Sequence, residues 1–152
     1  MWFLVLQWLH VLAAIAAVGA NLTYGVWTAR AGREPEVLPF VLRTISLIDR
    51  RLANPCYIVV LVTGLLMALI APIPLTTPWL LTAVVLYTAA ALMGILVYAP
   101  AARKQRQILE TIGVGAPQYK DISDRTTLLG IVVTVDVLII VFLMVVKPPL
   151  WG

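Results

Sequence analysis

The stretch WFLVLQWLHVLAAIAAVGANLTYGVWT, residues 2–28, decides the fold class because it is apolar and long enough to cross a lipid bilayer. A helix needs about 20 mostly apolar residues to cross a hydrocarbon core of about 30 Å. No lysine or arginine precedes Arg30, and the apolar run exceeds the roughly 7–15 residues of a secretory signal core. We therefore interpret this stretch as a retained membrane span rather than as a cleaved signal peptide.

The composition of the whole chain indicates further spans. Hydrophobic residues make up 62% and charged residues 12% of the 152 residues, and the mean hydropathy is +1.00. Soluble domains average about 45–50% apolar and about 25% charged residues. Backbone groups in lipid must be paired within the span, so each span is expected to be a helix. The predicted spans of this single all-α transmembrane domain are Trp2 to Thr28, Asn54 to Ala71, Pro78 to Tyr98 and Thr126 to Val146.

The distribution of charge predicts how the spans are oriented. The connections 29–53 and 99–125 hold ten of the eleven basic residues, whereas the turn between Ala71 and Pro78 holds no charge. Because basic connections stay in the cytoplasm, both termini are expected outside the bacterial inner membrane. We therefore interpret the net charge of +4 as a determinant of membrane topology and not as a sign of nucleic-acid binding. Attraction of the basic connections to anionic lipid head groups adds to this effect. We expect an antiparallel four-helix bundle in which the proline-rich turn APIPLTTP (71–78) makes a hairpin of spans two and three.

Both longer connections show helical patterns. In the first, a stripe at helical spacing indicates an amphipathic juxtamembrane helix that runs into the second span through a kink at Pro55. In the second, ARKQRQILE (102–110) continues the third helix, GVGAPQ (113–118) breaks it, and Asp124 is expected to cap the fourth helix. The apolar stripe of the first connection consists of Val41, Ile45, Ile48 and Leu52.

One polar side chain from each span falls at nearly the same depth. Counting about 1.5 Å per helical residue places all four roughly 12–15 Å from the outer ends of their helices. An intramembrane carboxylate usually faces the bundle interior and has a role, so the aspartate is expected to be protonated or paired with the histidine. A structural hydrogen bond that fixes helix packing is the alternative interpretation. The four residues are His10, Thr63, Tyr87 and Asp136.

The histidine is also the best candidate metal ligand. Ala14, Ala17 and Asn21 follow it on the same helical face, and small residues there would admit another helix or a flat ligand. Asn21 itself is interpreted as a packing residue. Histidine and thioether ligands suit haem iron or Cu(I), so the candidate metal ligands are His10, Met67 and Met144.

Other residues and motifs offer little chemistry. The lone Cys56 excludes an internal disulfide and is interpreted as small apolar filler. The chain has no P-loop, no HExxH and no CxxC motif. Hydrolytic or ATP-driven chemistry is therefore not expected, and whether the protein is an enzyme stays open.

The segments LQWLHVLAAIAAVGA (6–20) and FLMVVKPPLW (142–151), together with the four spans, resemble an uncharacterised bacterial integral membrane family of the CopD-like group. That group also holds the copper-resistance protein CopD and the HemJ-type protoporphyrinogen oxidase. The resemblance implies that a first-helix histidine, here His10, is a haem b or metal ligand. HemJ-type enzymes use a lysine in the third span, where this chain has Tyr87 and Thr88, so the resemblance does not extend to protoporphyrinogen oxidation.

Three functional hypotheses follow. The first is a haem-binding or redox-associated membrane protein in which His10 is an axial ligand and Asp136 its partner or proton site. The second is a non-catalytic accessory subunit, in a homo-oligomer or a larger membrane complex, that docks through small-residue faces. The third is copper or proton transport through the level of His10 and Asp136. The small-residue faces of the second hypothesis are Ala13 with Ala17 and Gly64 with Ala68.

Overall fold

The computed structural model describes residues 1–151 and contains helices and turns. Two π-helical turns, Asp49–Ala53 and Gly94–Tyr98, join α2 to α3 and α4 to α5 without a break. Four continuous helical stretches are long and apolar enough to cross a membrane, which confirms the expected number of spans. The α-helices are α1 (Trp2–Ala31), α2 (Leu38–Ile48), α3 (Asn54–Ile70), α4 (Pro78–Met93), α5 (Ala99–Thr111) and α6 (Pro117–Val146).

Each π-helical turn precedes a proline. The Asn54 N–H donates to the Asp49 carbonyl and the Ala99 N–H to the Gly94 carbonyl, five residues back in both cases. Pro55 and Pro100 follow directly, and a proline crowds the carbonyl four residues before it and removes an N–H donor. A wider turn relieves that crowding while the helix continues. The expected kink at Pro55 is thus a π-helical turn.

The amphipathic helix of the first connection is confirmed, but its stripe is shorter than expected. Val41 and Ile45 are buried and Ile48 is half-buried, whereas Leu52 is 45% exposed. Leu52 lies within the π-helical turn, whose additional residue rotates the following side chains by about 100° relative to α2. This rotation takes Leu52 off the stripe.

The helices pack as two pairs. Helix α1 lies along α3 and α4 lies along α6, while α1 also contacts α6. Small residues are buried in these helices, which lets the backbones approach closely; they are Ala13, Ala17, Ala68 and Ala83. Among the described residues, the backbones of α3 and α4 do not approach each other closely. The expectation that spans two and three pack against each other as a hairpin is therefore wrong.

The largest buried cluster lies where the two basic connections meet, which we call the basic end (residues 29–53 and 99–125). Apolar side chains from α1, α2, α5 and α6 form it. The Arg43 guanidinium also donates two hydrogen bonds to Oε1 of Glu110, at 3.0 and 2.8 Å, and so ties α2 to α5. The buried members of the cluster are Tyr24, Ala31, Leu38, Val41, Leu42, Ile45, Leu109 and Tyr119.

The fourth membrane helix starts earlier than its apolar core. Helix α6 begins at Pro117, a residue type favoured in the first helical turn. Tyr119, Ile122 and Thr126 are buried and follow helical spacing, so the segment before the apolar core is held by packing. The expected cap at Asp124 is wrong, because Asp124 lies inside α6 and is exposed.

Candidate functional site

A hydrogen-bonded relay joins His10 of α1 to α3. Nδ1 of His10 lies 3.0 Å from Oγ1 of Thr63, and that hydroxyl lies 2.6 Å from the Val59 carbonyl of its own helix. Thr63 is buried and His10 is half-buried. Two of the four residues predicted at one level are therefore in direct contact.

The relay assigns the proton on the His10 ring. The Thr63 hydroxyl has one hydrogen, which the Val59 carbonyl accepts, so Oγ1 acts as acceptor towards Nδ1. Nδ1 then carries the ring proton and Nε2 keeps a free lone pair, an assignment that follows from the network. Histidines that bind metals commonly donate their second ring N–H to the protein in this way.

Gly64 brings α3 against the histidine. A Cβ atom at this position would lie 3.1 Å from Cε1 and 3.5 Å from Nδ1 of His10. Only a residue without a side chain allows this approach without displacing the ring. The interface of α1 and α3 is thus closed around one edge of the imidazole, and a ligand could approach the ring only from another side.

Tyr87 and Asp136 lie apart from this relay. The Tyr87 hydroxyl donates to the Tyr57 carbonyl at 2.7 Å, which links α4 to α3. Oδ2 of Asp136 is buried and has no hydrogen-bond partner among the described residues. The structure contains no hydrogen bond between Asp136 and His10, whose side-chain hydrogen bond runs to Thr63.

The candidate methionine ligands are divided between the two helix pairs. Met67 lies one turn beyond Thr63 on α3, whereas Met144 lies near the end of α6, and both are half-buried. In residues 1–151 no group of three or more His, Cys, Asp or Glu side chains lies close enough together to hold a metal ion. Among the described residues, His10 is therefore not part of a cluster of three or more such ligands.

A second polar network was missed in the sequence. The Asn21 amide donates to the Tyr57 hydroxyl, and Tyr57 also accepts at its carbonyl from Tyr87. Asn21 thus bonds across helices, as expected of a packing residue, but its tyrosine partners were not foreseen. Polar residues on three different spans were the available signal, although spacing along one helix cannot identify partners on another.

The small-residue faces that motivated a docking role are used inside the bundle. Ala13, Ala17 and Ala68 are buried, and Gly64 lies against His10. These residues already serve the intramolecular packing of the chain. They are therefore not an open face for a partner.

The apolar helices, their length and their pairing define the chain as a helical integral membrane protein with four candidate spans. Residues 4–148 match the family described as "Predicted integral membrane protein (DUF2269)". Since this match covers nearly the whole chain, the protein belongs to that family. No curated protein and no solved structure matches the chain. The resemblance to the CopD-like group stays a prediction.

Proposed function

We propose that the protein is a haem-binding, redox-associated protein of the bacterial inner membrane in which Nε2 of His10 is an axial ligand. The observation that supports this proposal is the relay from Nδ1 through Thr63 to the Val59 carbonyl, because it leaves Nε2 unprotonated and orients the ring. His10 would thus offer one nitrogen ligand to a haem iron. Bound haem would supply one-electron chemistry.

The other residues of the candidate site hold protons and orient groups. Thr63 fixes the tautomer of His10, and the bond to Val59 in turn fixes the Thr63 hydroxyl. Asp136, whose Oδ2 has no partner in the described chain, holds a proton or accepts one from a bound group. Tyr87 donates to the Tyr57 carbonyl and links α4 to α3 through this single hydrogen bond.

An absorption spectrum of the purified protein, before and after incubation with haem, tests this function. We expect a Soret band that is lost in His10→Ala and kept in Gln7→Ala, an exposed polar position one turn away. Thr63→Val should keep its fold but bind haem about 10–100-fold more weakly, as losses of outer-shell partners do. Thr88→Val is its control, because Thr88 makes the same bond within its helix.

Two outcomes would overturn the haem proposal. One is a protein without a Soret band even after reconstitution, and the other is a band that His10→Ala leaves intact. The metal content of the same sample also decides whether copper is bound. If copper binds to His10, Met67 and Met144, the purified wild-type protein should contain copper and the Met67→Leu variant should not.

Proton transfer is the second candidate, because a buried carboxylate oxygen without a partner is costly and is typical of proton sites in membranes. Asp136→Asn should then abolish proton uptake into proteoliposomes. The exposed Asp124→Asn should leave uptake unchanged. Equal uptake in wild type and Asp136→Asn would exclude this role.

The proposal also includes the arrangement in the membrane, with antiparallel spans and both termini outside. It rests on the ten basic residues at the basic end. An accessory role in a homo-oligomer or larger complex is tested by the mass of the particle extracted from native membranes. A lone monomer would contradict that role.

A further inference from the structure

A groove lies on the outward face of α1 at the basic end. It has a volume of about 380 Å³ and is open to the surroundings of the protein, because all of its lining residues are exposed. A Cβ atom at Gly25 would meet nothing within 4 Å. The groove is therefore space that no side chain of the described residues fills. Its lining residues are Gly25, Val26, Ala29, Arg30 and Arg33.

The position of the groove along α1 places it where hydrocarbon meets the head groups. Helix α1 has 30 residues and is about 45 Å long, close to the thickness of a bilayer with its head groups, about 40–45 Å. Its last turn therefore lies in the head-group layer when Trp2 lies at the opposite surface. Trp27, next to Val26 in the sequence, is 52% exposed, and tryptophan favours this interface.

The lining of the groove changes from apolar to basic along the chain. Gly25, Val26 and Ala29 come first, on the membrane side, and the two arginines follow at and beyond the end of the helix. A phospholipid has the same order, because its chains and glycerol lie in and next to the hydrocarbon and its phosphate lies outside. Guanidinium groups bind phosphate oxygens through paired, charge-assisted hydrogen bonds. The groove thus matches a phospholipid whose phosphate lies at Arg30 and Arg33.

The charge at the rim of the groove favours an anionic lipid. Arg33 takes part in neither of the two ion pairs that the described residues form. Arg30 lies 3.0 Å from Glu34, but their side chains are 72% and 52% exposed, so this pair is weak and a phosphate can compete for the guanidinium. Two guanidinium groups against one carboxylate leave the rim positive. A second copy of the chain docked on the same face would bring like charges together, which disfavours it as the occupant.

We propose that this groove binds an anionic phospholipid of the leaflet at the basic end. The phosphate lies at Arg30 and Arg33, and the glycerol and first chain carbons lie against Gly25, Val26 and Ala29. An unfilled groove with a basic rim at the depth of the head groups carries this inference. The site does not depend on haem binding.

Native mass spectrometry of the full chain in detergent, titrated with phosphatidylglycerol or phosphatidylcholine, tests the site. We expect the wild type to bind the anionic phosphatidylglycerol more tightly than the zwitterionic lipid. Arg33→Gln should lower the affinity for phosphatidylglycerol about five-fold, the effect of removing one basic residue next to an anionic surface. Arg103→Gln is the matched control, because Arg103 is exposed, belongs to neither ion pair and lies outside the groove.

Two further variants test the shape and the charge of the groove separately. Gly25→Leu places a side chain in the groove and should weaken the binding of phosphatidylglycerol. Gly19→Leu is its control, because Gly19 is also exposed on α1 with nothing within 4 Å of a Cβ atom, yet it does not line the groove. Glu34→Gln removes the carboxylate that competes for Arg30 and should strengthen binding.

Four results would overturn the proposal. Equal losses in Arg33→Gln and Arg103→Gln would indicate diffuse attraction to basic residues. Equal binding of the two lipids, or unchanged binding in Gly25→Leu, would show that the groove does not hold an anionic phospholipid. Displacement of the lipid by an equal concentration of inorganic phosphate would indicate a site for free phosphate. If Gly25→Leu does not fold, the comparison of the two arginine variants decides alone.

Discussion

At the scale of single residues, the contact of Gly64 with His10 sets how closely α1 and α3 approach. Gly64→Ala places a Cβ atom 3.1 Å from Cε1 of a ring that its hydrogen bond to Thr63 holds in place. We expect this overpacking to lower the free energy of unfolding by about 1–3 kcal/mol. The apparent melting temperature in detergent measures the loss.

The matched control is Gly19→Ala on α1. A Cβ atom at Gly19 would meet nothing within 4 Å. Both variants gain the same helix propensity, so the difference between their melting temperatures isolates the contact with His10. Equal melting temperatures would show that the ring can shift without cost.

Asp49 predicts a pH dependence of stability. Its pKa in the folded chain is raised by burial from the ordinary value of 3.8. The folded state then binds more protons than the unfolded state between the two pKa values, so stability falls as pH rises through that window. Asp49→Asn removes this loss of stability. We expect the melting temperature of the variant to equal that of the wild type below about pH 4 and to exceed it near neutral pH.

The measurement is the difference in melting temperature between Asp49→Asn and wild type across pH. Asp124→Asn is the control, because Asp124 is exposed and should show no such trend. A difference that does not grow from acid to neutral pH would contradict the expected burial of the carboxyl.

The contact of His10 with Thr63 illustrates what depth counting can and cannot predict. Both residues were expected roughly 12 Å from the outer ends of their helices, and they are hydrogen-bonded. Asp136 was assigned to the same level, yet its Oδ2 has no hydrogen-bond partner among the described residues. The depth of a residue in the membrane follows from its position along the helix. Which neighbour its side chain meets depends on which helices pair. The spans are apolar on all sides, so no polar face in the sequence indicates that pairing.

At the scale of secondary structure, one exposed ion pair adds to the apolar packing between α2 and α5. Arg43 donates two hydrogen bonds to one oxygen of Glu110, and their side chains are 66% and 44% exposed. Solvent screening limits such a pair, so a double-mutant cycle of Arg43→Ala and Glu110→Ala should give a coupling energy of about 0.2–1 kcal/mol that falls at high salt.

The control cycle uses Arg30 and Glu34, which pair four residues apart at the end of α1. Removing this local pair should leave the association of α2 with α5 unchanged, as measured by cross-linking between the two helices. If the Arg43 cycle shows no coupling, or a coupling that salt does not alter, the pair does not hold the helices together.

The elements themselves could be predicted in part. The amphipathic helix before Pro55 and the continuation of the third span into α5 are confirmed. The π-helical turns were not foreseen, because a proline within a helical pattern is compatible with a kink, a break or a wider turn. The early start of α6 had a signal in Pro117 and the spacing of Tyr119 with Ile122, which its polar neighbours obscured.

At the scale of the whole molecule, hydropathy predicted the four spans, but it could not predict which of them pair. Helices that are apolar on all sides offer no face that favours one neighbour, so small contacts decide the pairing. At the end of the bundle opposite the basic end, Nζ of Lys147 lies 5.3 Å from the centroid of the Trp79 ring, and this contact joins α6 to α4. Gly64 against His10 similarly marks the pairing of α3 with α1.

The asymmetry of charge between the two ends predicts the orientation in the membrane. Ten of the eleven basic residues lie at the basic end and Lys147 alone lies beyond the last span, so translocating the basic end would be strongly disfavoured. In a Cys56→Ala background, Glu36→Cys should react with an impermeant thiol reagent in inverted vesicles and not in intact cells. Leu75→Cys, at the uncharged turn, is the control with the opposite expected pattern, and both positions are exposed. Labelling of Glu36→Cys from outside the cell would show that the orientation is the reverse of the expected one.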